Sequence, residues 1–327
     1  MPSKYTSSKR RRTVKKGLST AKRAAKKKRG GKFKWFLILL IVAAAFAFYL
    51  HDQGKITLPA WIAGEPPEPI PEGSAQVHFI DAGQGDCELI IADDGTTVLI
   101  DCGEYEYAST VLAYLEDLGI TRLDYVVVSH PHTDHMGGMA TIIRDIHEIG
   151  TFIMSRIADD FIPTTTAYEK MLEALEKKDC EVRIARNEEN DLGSGKLKFI
   201  IADYSGDNMN NYSIVVKYIL NDTAFLFSGD LEADMEKQLL NAGHDLTADV
   251  YKLAHHGSTT SNSALWLAAI CPDYCVCECG ANNSYGHPHH EIVTAVRDYT
   301  DILLRTDING NIVFTTDGAN ITYKCSK

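Results

Sequence analysis

Residues 129–138 read Ser-His-Pro-His-Thr-Asp-His-Met-Gly-Gly and follow the β-branched run Tyr125-Val126-Val127-Val128. A strand that breaks into such a segment carries His130, His132, Asp134 and His135 on one loop, four metal-type side chains within six positions. Imidazole and carboxylate are ligands that zinc, manganese or iron accept, and a compact loop can divide them between two neighbouring ions. Clustering so many titratable groups without an ion would be electrostatically costly. Gly137 and Gly138 let the following helix begin tight against the loop.

Outward from this loop, short apolar runs at 77–80, 87–92, 97–100 and 125–129 read as strands. The first three lie too close together for intervening helices, which predicts hairpins in a mixed sheet. Helices are expected near 106–118, 137–148 and 166–178. A second set of strands is expected at 197–202, 212–219, 223–228 and 249–253, with helices near 231–242, 262–270 and 289–299. Two strand-rich halves, each followed by helices, predict an α/β fold of two sheets face to face with helices outside. Cys275, Cys277 and Cys279 alternate along an apparent strand; their C-x-C-x-C spacing departs from common zinc modules, so they read as buried small hydrophobes.

The loop matches the H-x-H-x-D-H motif of the metallo-β-lactamase superfamily at every defined position, and the resemblance extends beyond it. Asp81-Ala-Gly-Gln-Gly-Asp86, Leu99-Ile-Asp101-Cys-Gly103, Asn211-Tyr-Ser213, Ser228-Gly-Asp230, His255-His-Gly-Ser258 and Asn283-Ser-Tyr-Gly-His287-Pro288 look like successive motifs of the hydrolase domain of ComEC-type DNA-uptake (competence) proteins. They run in order over residues 77 to about 317. The resemblance implies an αββα sandwich of two mixed sheets holding two divalent ions, zinc or manganese. It implies that His130 and His132 hold the first ion, Asp134 and His135 the second, and Asp230 both. His255 or His256 would complete the second site; successive strand residues face opposite ways, so only one of them is expected to ligate that ion, and His255 is the slightly favoured one.

The residues lend their own support. Asp230 follows the apolar strand at 224–227, where a carboxylate can project into a shared cleft and offset repulsion between two cations; the plain alternative is a helix N-cap. Asp101 reads as a group orienting a ligand imidazole. Asp81, Gln84 and Asp86 sit in a turn whose glycines allow close backbone approach to the site. Asp134 and His287 are the candidate catalytic residues, with His287 placed to contact a substrate phosphate or donate a proton. Ser258 and Asn283 belong to the same surroundings. The superfamily usually supplies a third His to the first ion between the loop and the bridging Asp, yet only His147 lies there, early in an apparent helix. Relatives with an Asn-x-Ser segment do without it, so Asn211 or Ser213 is expected near a weakly held first ion.

The rest of the chain sets the context. Of 327 residues, 1–34 hold fifteen Lys+Arg and no acid, leaving 18 Lys+Arg against 44 Asp+Glu beyond them. A tail of +15 and a remainder of −26 exclude a uniformly basic nucleic-acid binder. Residues 1–34 read as a disordered cytoplasmic tail that lies on anionic lipid. Residues 35–50, WFLILLIVAAAFAFYL, carry no charge and read as a single transmembrane anchor. The positive flank keeps the N-terminus cytoplasmic and places the residues beyond Leu50 outside. A cleaved signal peptide ending near Ala45-Phe46-Ala47, with a secreted product, is the weaker alternative. Residues 51–75 hold five of the ten prolines and read as an extended linker before a domain spanning 76–327.

The function expected from these features is a membrane-anchored, extracytoplasmic hydrolase that uses a metal-bound hydroxide on a phosphodiester, DNA first and an envelope phosphodiester second. The acidic external segment repels a polyanion unless metals or a local basic path compensate. Two rivals stand beside it: a β-lactam or thioester hydrolase of the same fold, and a non-catalytic metal-holding module whose basic tail binds nucleic acid. The topology predicts that protease added to intact cells digests residues beyond the linker and spares the tail; digestion of the domain only after lysis would reverse the orientation.

Overall fold

A computed structural model describes residues 69–327 together with Phe46 and Tyr49. The expected basic tail, the apolar anchor apart from those two positions, and most of the linker lie outside the described residues. Among the described residues no helix is long and apolar enough to cross a membrane.

Fifteen strands follow one another along the described domain. They are β1 (Ala75–Phe79), β2 (Glu88–Ile91), β3 (Thr97–Ile100), β4 (Arg122–Val128), β5 (Glu148–Met154), β6 (Glu181–Ile184), β7 (Glu188–Leu192), β8 (Gly195–Ile200), β9 (Val215–Leu220), β10 (Thr223–Phe227), β11 (Val250–Lys252), β12 (Tyr274–Cys277), β13 (Leu303–Arg305), β14 (Ile312–Thr316) and β15 (Ile321–Cys325). The first sheet runs β15-β14-β1-β2-β3-β4-β5-β6 and the second β13-β12-β11-β10-β9-β8-β7. Both are mixed. Hairpin pairing of β1, β2 and β3 is antiparallel, whereas β3 to β6 pair in parallel. In the second sheet β7 to β10 are antiparallel and β10 to β13 parallel. Helices α1 (Ala108–Asp117), α2 (Thr133–Met136), α3 (Met139–Asp145) and α4 (Thr166–Leu175) belong to the first half; α5 (Ala233–Ala242), α6 (Ala264–Ile270), α7 (His290–Val296) and α8 (Thr306–Asn309) to the second.

Strand periodicity explains the layers. Successive strand residues point to opposite faces, so Val77 and Phe79, Val98 and Ile100, and Val127 enter the space between the sheets and meet Val216, Tyr218, Phe225, Phe227 and Val276 there. The alternate residues Leu99, Val126 and Val128 turn outward onto Val111 and Leu115 of α1 and Met139, Ile142 and Ile143 of α3. On the other side Val215, Leu226 and Tyr251 pack with Leu239, Trp266 and Ile292. Each fully buried aliphatic or aromatic side chain contributes about 1.5–3 kcal/mol relative to exposure, so three contiguous apolar clusters fix the αββα layering. Cys275 and Cys277 share the outer face of β12 and are buried beside Trp266; Cys279, just past the strand, joins them. All eight cysteines are unpaired thiols.

Some expected elements differ. The helix expected over 137–148 ends at Asp145, and Glu148–Met154 is instead the parallel strand β5, so His147 sits at a bend between them. The strand expected from 212 begins at Val215, because Met209–Tyr212 form a 3-10 turn. The edge strands β6 and β7 and the closing strands β13 to β15 were not expected; their short runs carry too little apolar alternation to stand out.

His78 lies on the helix-facing side of β1, with Nδ1 2.8 Å from the Tyr114 hydroxyl and Nε2 without a partner. Burial holds its pKa down at about 4 against an ordinary 6.5. The unfolded chain therefore takes up this proton first, so the stability contribution is complete above pH 6.5 and lost as pH falls through 4, amounting to about 3 kcal/mol at one pKa unit per 1.36 kcal/mol. Urea midpoints measured from pH 7 to 4.5 should fall more steeply for the native protein than for His78→Leu.

Candidate metal centre

The segments that carry the donors leave the C-terminal ends of strands, 80–86 after β1, 101–103 after β3, 129–138 after β4, 228–232 after β10, 253–258 after β11 and 278–287 after β12, while Ser213 comes from the turn that enters β9. Crevices outside the carboxyl ends of strands are where open α/β sheets bind ligands. The turn 81–86 is locked to the metal loop through Gly85, where a Cβ would overlap the Asp134 carbonyl oxygen. At Gly137 a Cβ would overlap the Thr133 carbonyl, so only glycine lets α2 close so tightly after His132.

Asp230 stands at the centre, buried, with its two oxygens facing different groups. Oδ1 is 3.2 Å from His135 Nε2 and 3.7 Å from His256 Nε2, and His256 Nε2 is 3.4 Å from Asp134 Oδ2. Oδ2 is 3.8 Å from His130 Nε2, which in turn is 3.1 Å from His132 Nδ1. Asp134, His135, Asp230 and His256 thus form one set of convergent donors, and His130, His132 and Asp230 a second. His135 Nε2, His256 Nε2 and Asp230 Oδ1 are buried with no hydrogen-bond partner. Orphaned polar atoms of this kind are rare in folded proteins, and three aimed at one point fit a cation that satisfies them together. The arrangement fits a binuclear divalent-metal site, with Asp230 belonging to both donor sets.

The ring nitrogens of His135, His256 and His130 turned away from the centre are engaged. His135 Nδ1 is 2.8 Å from Asp101 Oδ2, and the same carboxylate accepts from the Ser129 amide at 2.8 Å. His256 Nδ1 lies 3.0 Å from the Glu278 carbonyl and 3.2 Å from Asp86 Oδ1. His130 Nδ1 is flanked by Ser129 Oγ at 3.1 Å and Ser213 Oγ at 3.3 Å. Such partners fix tautomer and ring orientation and leave the opposite nitrogen lone pair for an ion. Ser213 acts twice, because its hydroxyl also accepts from the Asp230 amide at 3.0 Å.

The field of the site is negative. Burial disfavours charge on His256, yet Asp230, Asp86 and Asp134 outweigh it and push its pKa up to about 10. Burial likewise opposes, and Asp230 and Asp86 overcome, the charging of His135, whose pKa is raised well above the usual value. His130 behaves oppositely: burial and the neighbouring His135 lower its pKa well below 6.5. The carboxylates that draw protons onto His135 and His256 would be met equally by divalent cations. Behind the ligands, Lys252 is fully buried and pairs with Asp86. Burial raises the pKa of Glu88 well above normal, with Glu278 and Asp86 adding to it, and burial with Asp86 nearby raises that of Glu278 to about 8.

The structure places the sequence candidates unequally. His130, His132, Asp134, His135, Asp230 and His256 converge, and Asp101 and Asp86 orient two of the imidazoles. His256, and not the favoured His255, joins the Asp134–His135 group. The expectation of opposite strand faces fails because β11 ends at Lys252 and both histidines adopt left-handed backbone, φ 51° and 53°. Asp230 is no N-cap, since α5 is capped by Glu232. Asp81 faces away and pairs with Lys327 at 2.8 Å. Gln84 lines the cleft and accepts from the Gly280 amide at 3.0 Å. Asn211 accepts from the Glu232 amide at 3.2 Å and reaches no ligand. Ser258 supports Thr260, whose hydroxyl is 2.9 Å from His255 Nδ1. Asn283 braces the His287 backbone, its amide donating to the His287 carbonyl at 2.7 Å. Ser129, Lys252 and Glu278 could not be picked out from the sequence: a serine beside a histidine is unremarkable, and a buried lysine or glutamate declares itself only once its neighbours are known.

Comparison with known proteins agrees with this geometry. The family model described as "Metallo-beta-lactamase superfamily" matches residues 80–273. Competence protein ComA of Neisseria gonorrhoeae is 30% identical over 251 residues, 76% of this chain and 33% of that protein. ComE operon protein 3 of Bacillus subtilis is 28% identical over 266 residues, 75% of this chain and 34% of that protein. The chain thus spans about a third of the length of these curated relatives. Among solved structures, a diphosphatase from the PhnP family aligns with a TM-score of 0.41 at 15% identity, covering 71% of this chain and 94% of that one. With the H-x-H-x-D-H loop, the shared carboxylate and the four-layer sandwich in place, this chain belongs to the metallo-β-lactamase superfamily, and its domain is similar to part of these competence-related proteins.

Proposed function

We propose that this protein is a membrane-anchored, extracytoplasmic phosphodiesterase acting on nucleic acid first, or on another phosphodiester of the cell envelope. The observation that carries the reading is the division of Asp230 between two donor sets at the floor of an open cleft of about 280 Å³. Zinc or manganese ions held there supply a nucleophile at neutral pH and charge stabilisation for a phosphoryl group, which suits a diester because it leaves the chain no need for a Ser or Cys nucleophile. His130, His132, Asp134, His135, Asp230 and His256 would hold them.

The chain's own residues shape the rest. The cleft is lined by Gln84, His132, Thr133, Asp134, Asp230, His255, His256, Tyr285 and His287, with no Lys or Arg among them. Positive charge toward a phosphate must then come from the ions, so a single phosphate is engaged at a time and the acidic domain surface has little hold on a polyanion. Burial, together with His256, His255 and His289, lowers the pKa of His287 to about 4. His287 is neutral at neutral pH and serves as a hydrogen-bond donor to a substrate oxygen, with its backbone held by Asn283 and its Nδ1 3.5 Å from Gln84 Nε2. The apolar run 35–50 and the basic flank support anchorage with the domain outside. Similarity to a relative named as a competence protein supports nucleic acid ahead of β-lactam or thioester substrates.

On purified full-length protein, His132→Ala and Asp230→Ala should each reduce hydrolysis of bis-p-nitrophenyl phosphate by about 10³-fold or more while circular dichroism stays native, since a shared ligand and a first-ion ligand are removed without apolar mass. Asp230→Ala should lose both ions and His132→Ala one. Native-like turnover by both variants would sink the ligand assignment, and a wild type that opens nitrocefin but cleaves no phosphodiester would overturn the substrate class.

A further inference from the structure

The two donor sets are unequal. The group around Asp134 offers four residues, Asp134, His135, Asp230 and His256, whereas the group around His130 offers three. Zinc-type ions take four ligands in closed sites and at least three protein ligands plus an exchangeable position in catalytic ones. No residue between His135 and Asp230 supplies another imidazole, because His147, the lone histidine in that interval, lies at the bend before β5.

His255 has the placement that the smaller set needs. Its Nε2 is 3.7 Å from Asp230 Oδ2, the oxygen that faces His130, whereas His256 addresses Oδ1. Its amide donates to the Gly229 carbonyl at 2.9 Å, which ties it beside the shared carboxylate. Its Nδ1 is held 2.9 Å from Thr260 Oγ1 and 3.8 Å from Glu232 Oε1, the arrangement that fixes a ligand imidazole from behind. The backbone adds an independent sign. His255 and His256 are consecutive non-glycine residues with φ of 51° and 53°, a strained conformation for residues with a side chain that persists where surrounding structure demands it. What the strain achieves is visible: neighbouring side chains that would diverge on a strand are turned to opposite oxygens of one carboxylate.

We propose that His255 is the third imidazole ligand of the ion held by His130 and His132, so that one left-handed His-His pair serves both ions. This inference needs the binuclear centre and is independent of which substrate is cleaved. The experiment titrates metal-free full-length protein with cobalt(II), reading d–d absorption and native mass spectra for wild type, His255→Asn and His256→Asn. Asparagine tolerates the left-handed backbone, and His255→Gly provides a second variant free of backbone strain. Wild type should bind two ions. Each histidine variant should keep one ion firmly and lose a different component of the absorption spectrum, with His255→Asn and His255→Gly weakening the same ion by more than about 100-fold, beyond the 10–100-fold expected of a residue that only orients a ligand. Two ions bound at wild-type affinity in His255→Asn, or loss of the same spectral component in both His255→Asn and His256→Asn, would overturn the proposal. Loss of turnover with both ions retained would assign His255 to the substrate instead.

Discussion

One buried carboxylate organises this domain. Asp230 is fully enclosed, and an isolated carboxylate in that position would be untenable. It is tolerated because His135, His256 and His130 surround it and hold its pKa well below normal against the opposing effect of burial. The surrounding imidazoles in turn keep their orientation through Asp101, Asp86, Ser129 and Ser213. The charge at the centre therefore dictates the identities of residues in six different loops, and each loop in turn depends on a strand end reaching the same crevice.

A second layer of ionisable groups lies behind the first. Asp86 is shared between His256 and the buried Lys252, and Glu88 and Glu278 crowd the same space. Three carboxyl groups beside one ammonium cannot all be ionised there, so Glu88 and Glu278 tend toward their neutral forms. This arrangement confines negative charge to Asp86, where it steadies an imidazole, and keeps excess charge from the apolar layer between the sheets. Buried ionic networks are costly when one partner is missing, which makes Lys252 a structural participant in the site although it touches neither donor set.

What the sequence made legible was whatever is local. The loop 129–138 could be read because its donors are consecutive, and the inner strands because Val77, Phe79, Val98 and Ile100 alternate with residues of the opposite face. The shared role expected of Asp230 comes with the family resemblance, and its place at a strand end supports it. The failures share one cause, dependence on dihedral angles or on distant neighbours. His255 and His256 look like a strand continuation, and only their positive φ reveals that both turn inward. Asp81 sits beside Asp86 in the chain, but the turn throws it outward to Lys327. The strand β5 follows α3 after two residues, and Ile149, Phe152 and Ile153 prolong an apolar spacing that a helix could also have used.

The shared carboxylate has a mechanical side. His130, His132, Asp134 and His135 descend from β4 in the first sheet, whereas Asp230 and His256 descend from β10 and β11 in the second. Ions bound among them are cross-links between the two halves of the sandwich, placed at the mouth where the apolar layer between the sheets ends. A ligand that binds only the folded form adds about 2.7 kcal/mol when its concentration is a hundred times its dissociation constant. Metal supply would therefore set how tightly the two sheets are clamped at their open end, so that the rigidity of the finished domain is decided by the ions it meets after folding.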